Sequence, residues 1–118
     1  MAQDFERAVA FDSAGDVDIG TTARTIITSN SDDAVIGIRL TNVTTATIKA
    51  DVYITSTASG SSADSYIVKG APIAAGGSLE LIDGGAKIVL LSGDALKAKS
   101  DTDASLNVWV SYIYSIST

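Results

Sequence analysis

The sequence predicts an all-β chain, a single antiparallel sandwich or barrel, and three observations carry that prediction. From residue 21 onward, apolar residues recur with a period of two, the spacing of strands with one buried face. Clusters of Gly, Asn, Asp and Ser separate about eight such segments at intervals of about 8–12 residues. No segment carries an apolar stripe at the 3.6-residue spacing of a helix. A length of 118 residues suits one domain with one core.

Residues 1–18 stand apart, with five acidic residues and a single base, Arg7. Phe5 and Val9 have the spacing of one helical turn, whereas Val9 and Phe11 alternate as in a strand. The segment reads as an extended arm or edge segment that docks on a neighbouring subunit, or as a frayed terminus. Residues 23–29 are the first strand of the domain proper, centred on Ile26 and Ile27, and the Asn-Ser-Asp-Asp run at 30–33 turns the chain. In 35–43, Ile36, Ile38 and Leu40 point one way and Gly37, Arg39 and Thr41 the other. After a turn at 42–45, residues 46–56 send Ile48, Ala50, Val52 and Ile54 inward and Lys49, Asp51 and Tyr53 outward. The short connection predicts that these two strands pair as a hairpin, with Arg39 and Asp51 on one outer face.

The run TASGSSAD at 57–64 reads as a polar loop. The strand at 65–73 places Tyr66 and Val68 on one face, Ile67 and Lys69 on the other. Pro72 lacks an amide hydrogen, so this strand lies at an edge or ends there. Residues 74–77 turn through Gly76 and Gly77, which tolerate positive φ. Leu79 and Leu81 flank Glu80 in a short strand. Asp83-Gly84-Gly85 reads as a turn, and residues 87–91 as a strand buried on both faces. Residues 92–94 turn again. Leu96, Ala98 and Ser100 then alternate with Lys97 and Lys99, and residues 101–104 form a polar turn. The longest strand, 106–116, points Leu106, Val108, Val110 and Tyr112 inward and Asn107, Trp109 and Ser111 outward.

Composition narrows the chemistry. With no Cys and no His, the chain lacks the usual ligands of structural zinc, iron–sulfur clusters and haem. It also lacks a thiol nucleophile and an imidazole base. Lys plus Arg number 8 and Asp plus Glu 14, a net charge of −6. Neutralising phosphates needs clustered Lys and Arg, so nucleic acid is not expected as a partner. Apolar runs reach about five residues against the roughly 20 that span a bilayer, so no membrane partner is expected. The opening MAQDFERAVAFD is charged and has no secretory h-region. Asp12, Asp16 and Asp18, with Gly15 between them, offer oxygen ligands, but their spacing is not that of a calcium loop and no bidentate Glu follows. No metal and no cofactor is therefore expected. Only Glu6 and Glu80 are Glu, and most Asp lie in turns, which leaves no obvious acid–base pair for glycoside hydrolysis. Gly76-Gly77 and Gly84-Gly85 precede neither Lys-Ser/Thr nor a helix and are not phosphate loops. Asn42-Val43-Thr44 matches the N-glycosylation sequon. A non-enzymatic protein is expected.

Outward aromatics are natural contact anchors. Trp109 and Tyr53, together with Phe5, Val9 and Phe11, form the candidate protein-interface set. The competing reading of Trp109 places it in the core with the strand phase inverted, and the same alternative applies to Tyr112 and Tyr114.

Three segments resemble a small Ig-like module of tailed-phage virion proteins, especially those of cyanophages. They are IRLTNVTTATIKADVYIT (38–55), SYIVKGAPIAAGGSLELI (65–82) and KIVLLSGDALKAKSDTDASLNVWVSYI (87–113). The shared pattern is an Asn-Val-Thr turn, an edge strand ending A-P-I-x-A-G-G-S-L, then L-x-x-G-D-x-L-x-x-x-S and a closing V-x-V-S strand. This resemblance implies a single antiparallel sandwich, Ig-like or jelly-roll-like, of about seven or eight strands. It would span residues 19–118 behind an N-terminal arm of residues 1–18. The resemblance also implies a structural subunit present in many copies per particle and located in the virion. The leading expectation is a capsid decoration (cement) protein that braces the head shell. Its partners would be the phage major capsid protein or other virion subunits, and copies of itself in a homo-oligomer such as a trimer. A neck, tail, baseplate or fibre accessory subunit is the alternative. A carbohydrate-binding module with Tyr53, Tyr66 and Trp109 as its aromatic platform is a second one.

Overall fold

The computed structural model describes residues 4–9, 18–29, 32–56, 63–82 and 87–114. Nine strands run in order: β1 (Asp4–Val9), β2 (Arg24–Thr28), β3 (Asp33–Asn42), β4 (Ile48–Ser56), β5 (Ala63–Ile73), β6 (Ser78–Glu80), β7 (Ile88–Leu90), β8 (Ala95–Ser100) and β9 (Leu106–Tyr114). No helix occurs among the described residues. The strands form two antiparallel sheets packed as a sandwich. One has the order β1-β9-β3-β6, with β7 also pairing β3, and the other the order β2-β8-β4-β5.

The all-β expectation holds, and each of the eight segments read from the sequence is a strand. The ninth is β1, from the segment read as an arm or edge segment. It pairs antiparallel with β9 from Asp4↔Tyr114 to Val9↔Trp109, at the edge of its sheet. Of the polar loop anticipated at 57–64, Ala63 and Asp64 belong to β5 instead; its remainder and the turn at Asp83-Gly84-Gly85 lie outside the described residues, as do Asp12, Gly15 and Asp16.

Alternation builds the core. Ile38 and Leu40 of β3, and Leu106, Val108 and Val110 of β9, meet Ile48, Ala50 and Val52 of β4 and Leu96 and Ala98 of β8 across the sheets. All are at most 1% exposed. β-branched and aliphatic side chains suit such a pleated, half-buried surface. Ile19 closes one end through an isolated bridge to Leu106.

The predicted hairpin between residues 35–43 and 46–56 does not form. β3 and β4 belong to different sheets, so their inward faces meet across the core instead of lying side by side. Arg39 and Asp51 are separated accordingly. Arg39 Nε pairs with Glu80 Oε1 at 3.2 Å on one sheet, and Asp51 contacts Lys99 at 3.9 Å on the other.

Asn42 makes the crossing between sheets. Its Nδ2 donates to the carbonyls of Ala46 at 2.7 Å, Ile73 at 2.9 Å and Ala74 at 3.2 Å. Its Oδ1 accepts from the Thr44 amide and hydroxyl, a turn that Asn side chains favour. Asn42 is fully buried, so the sequon match is a corner device with no accessible amide.

β-bulges correct two other expectations, and an edge position a third. Pairing of β3 with β9 shifts between Val35 and Gly37, an extra residue that reverses the phase. Val35 therefore enters the core at 0% exposure, and Ile36, read as inward, leaves it. In β5, register shifts opposite Ala50–Val52 and Val52–Tyr53 place Tyr66 beside Tyr53 on the outer face and Val68 beside Val52 on the inner one. The expected shared face of Tyr66 and Val68 is thus split. Gly70, at φ 65° in the left-handed region that favours glycine, accommodates the first of these shifts. β7 pairs β3 at one edge, and Val89 is 53% exposed, so this strand is not buried on both faces.

Other sequence signals stand. Pro72 lies on β5, an edge strand. The turn at 74–77 closes through a Gly77 N–H bond to Ala74 O, with Gly76 at φ 67°.

The 101–104 turn gives a pH prediction. Asp101 Oδ1 accepts from the Lys49 amide and from the Thr102 hydroxyl, and these bonds, the amide first, hold its carboxyl below the usual Asp range. A depressed folded-state pKa means stability present above the ordinary Asp value and lost as pH falls through the folded value. Asp101→Asn should therefore flatten the acid side of the stability profile. Urea midpoints measured at about pH 6 and about pH 3 should differ less in the variant. An unchanged difference would remove Asp101 from the acid response.

Candidate interaction face

β9 lies between β1 and β3, with Leu106, Val108 and Val110 buried; at nine residues it is shorter than β5, with eleven, and is not the longest strand that the sequence predicted. Alternation then presents Trp109 on the outer face, 49% exposed. The reading of Trp109 as outward holds, and its phase is not inverted. In register, Trp109 stands opposite Arg39 of β3 and Val9 of β1, and Ser111 opposite Gly37 and Arg7.

Charged groups flank the indole. The Arg7 guanidinium carbon lies 5.1 Å from the ring centroid, a cation–π distance. Beyond Arg39, the Arg39–Glu80 pair is well exposed, at 63% and 46% of the two side chains, and adds little to stability there. Trp109, Arg39, Glu80, Ile36, Gly37 and Ile82 surround an open depression of ≈ 430 Å³. Ile36 is present because the β3 bulge turns it out of the core. A Cβ at Gly37 would lie 3.8 Å from Ser111 Cβ and 4.0 Å from Glu80 Oε2, so its absence leaves the floor open.

This arrangement suits holding a surface. A half-exposed Trp with Arg on both sides and aliphatic walls has the residue types enriched at binding hot spots. The described residues contain no group of three or more Asp or Glu suited to a metal ion.

Of the candidate interface residues, Phe5 and Val9 occupy β1 positions opposite Ile113 and Trp109. Their side chains lie outside the described residues, and so does Phe11 entirely. Tyr53 is not the outward anchor expected. It sits on the outer face of the other sheet but is only 8% exposed, because Tyr66 tilts against it at 5.0 Å and 37° and Lys97 flanks it in register. Burial first, then Asp64, Tyr66 and Asp51, pushes the Tyr53 phenol above its ordinary pKa, so it stays protonated at neutral pH. Tyr53, Tyr66 and Trp109 do not form one platform, since Trp109 belongs to the opposite sheet.

Arg7, Glu80, Ile36 and Ile82 are the residues that the sequence did not single out for this face. Outward alternation marked Arg39 and Trp109 separately, but nothing in the sequence shows that β3 and β9 are neighbours. The chain matches no protein-family model, and comparisons with curated proteins and with solved structures likewise give no match.

Proposed function

We propose that this chain is a non-enzymatic structural subunit of a tailed-phage virion, a capsid decoration protein that braces the head shell. In this reading it sits on the major capsid protein as a homo-oligomer, such as a trimer, through the outer face of the β1-β9-β3-β6 sheet. The observation that carries it is the half-exposed Trp109 at the centre of that face, between Arg7 and Arg39. The virion assignment itself rests on the resemblance of residues 38–113 to phage Ig-like modules. An acidic, strand-rich chain with an aromatic face fits a protein that joins surfaces.

Binding of the purified protein to DNA-free capsids, with immunogold labelling of whole virions, tests the location. Label confined to the tail would overturn the decoration reading in favour of a neck, tail, baseplate or fibre subunit. Trp109→Ala tests the face. It should weaken capsid binding by about 30-fold or more, the scale of a hot-spot residue. Its unfolding free energy should change by only about 1 kcal/mol, as for other solvent-facing positions. Unchanged capsid affinity would place the contact elsewhere.

A further inference from the structure

The opposite side of the sandwich carries the reverse charge to the chain as a whole. On the outer face of the β2-β8-β4-β5 sheet and at its rim, Lys49, Lys69, Lys97 and Lys99 stand against Asp51, Asp64 and Asp101. Four lysines against three aspartates leave a net +1, on a chain whose net charge is −6. Three of these lysines, Lys49, Lys69 and Lys99, converge on a depression of ≈ 390 Å³ beside Gly70 and Ser100.

The carboxylates at this depression are engaged with the backbone. Asp51 Oδ1 accepts the Gly70 amide at 2.7 Å, and Asp101 Oδ1 accepts the Lys49 amide at 3.0 Å. Among the described residues, the ion pairs of the three lysines reduce to one contact, Lys99 Nζ to Asp51 Oδ2 at 3.9 Å. Field from the acidic remainder of the protein is screened over about 8 Å at physiological ionic strength, so an anion at this face meets mainly the local positive charge.

We propose that this depression binds a sulfate or phosphate ester carried on a polysaccharide. Ammonium groups on flexible stems are compact point charges without the planar fork of Arg, which suits a tetrahedral oxyanion better than bidentate recognition of a carboxylate. Single-stranded nucleic acid would need bases stacked on aromatic rings. No ring here is free for that: Tyr53 is buried, and Tyr66, 41% exposed, already holds Tyr53 at 5.0 Å and the Lys69 ammonium at 4.7 Å from its ring centroid. A charged polysaccharide needs only the lysines, and its repeated ester groups present many anions to one site.

The test uses the full chain with dextran sulfate, neutral dextran, inorganic sulfate and oligo(dT). Dextran sulfate should bind at least about 100-fold more tightly than free sulfate through multivalency. Added NaCl should weaken it, and neutral dextran should not bind. Joint replacement of Lys49, Lys69 and Lys99 by Gln should raise the Kd by about tenfold or more, whereas Lys87→Gln, which removes one positive charge away from this face, should leave it unchanged. In the unaltered protein, inorganic sulfate should shift the amide resonances of Thr21, Gly70 and Ser100, a readout that does not depend on how the variants fold. Absence of those shifts, or an equal loss in Lys87→Gln, would overturn the site. Tighter binding of oligo(dT) than of dextran sulfate would overturn the polysaccharide assignment. Trp109→Ala lies on the other sheet and should leave this binding intact, so the capsid-docking reading and this one fail separately.

Discussion

Replacing Asn42 by Ala should destabilise the protein by about 3 kcal/mol, with a melting temperature lower by about 10 °C. The amide is fully buried and offers two hydrogens to three carbonyls, those of Ala46, Ile73 and Ala74, so one hydrogen is shared. Ala46 precedes β4 in one sheet, and Ile73 ends β5, while Asn42 itself ends β3 in the other sheet. The side chain therefore ties the two sheets at one corner. Ala would leave the buried Ile73 carbonyl without this donor and would release the Thr44 turn. Exposed Ala46 and Ala74 can turn to water, which keeps the cost near the lower end for so many bonds. Asn42→Asp should be worse at neutral pH, because it aims an anion at the same carbonyl oxygens. Protonation would restore one donor, so part of its deficit should return as pH falls. Thermal unfolding of both variants checks this. A melting shift of only a degree or two for Ala, or Asp milder than Ala, would rule out the corner role.

The same corner shows how far sequence reading reaches. Asn42-Val43-Thr44 was legible as a turn, because Asn and Thr side chains hydrogen-bond to nearby backbone. Its direction was not legible. A short turn between two alternating strands fits both a hairpin within one sheet and an arch between two, since each buries the same apolar residues. Long-range pairing decides between them, and pairing leaves no mark on local periodicity. The strands with uninterrupted alternation, β8 and β9, gave their inward and outward residues correctly. Trp109 was found for that reason. Tyr53 was placed on the correct outer face but judged exposed, because its cover comes from Tyr66 on a strand whose phase is reset by extra residues. The face around Trp109 combines residues from β1, β3, β6 and β9, and only the sheet order brings them together.

Two isoleucines in β3 give the sharpest test of that point. Strict alternation makes Ile36 and Ile38 equivalent core residues, both facing inward. The bulge between Val35 and Gly37 makes them opposites. Its position has a physical reason. The outer edge of β3 is occupied by β7 at Asp33–Val35 and by β6 at Arg39–Thr41, so the bulge falls where one edge partner gives way to the other. A bulge bends and twists its strand, which lets two short strands meet one long one. Ile38 is at 0% exposure inside the main core cluster. Ile38→Ala should therefore cost about 3–4 kcal/mol through lost burial and the cavity left behind. Val35→Ala, also at 0% exposure, should cost about 2 kcal/mol for the smaller volume removed. Ile36→Ala lies beside Trp109 in the outer depression and should cost about 1 kcal/mol, while weakening whatever docks on that face. Urea unfolding of the three variants gives the order Ile38, Val35, Ile36. Equal costs for Ile36 and Ile38 would restore plain alternation, close the depression and remove Ile36 from the interaction face.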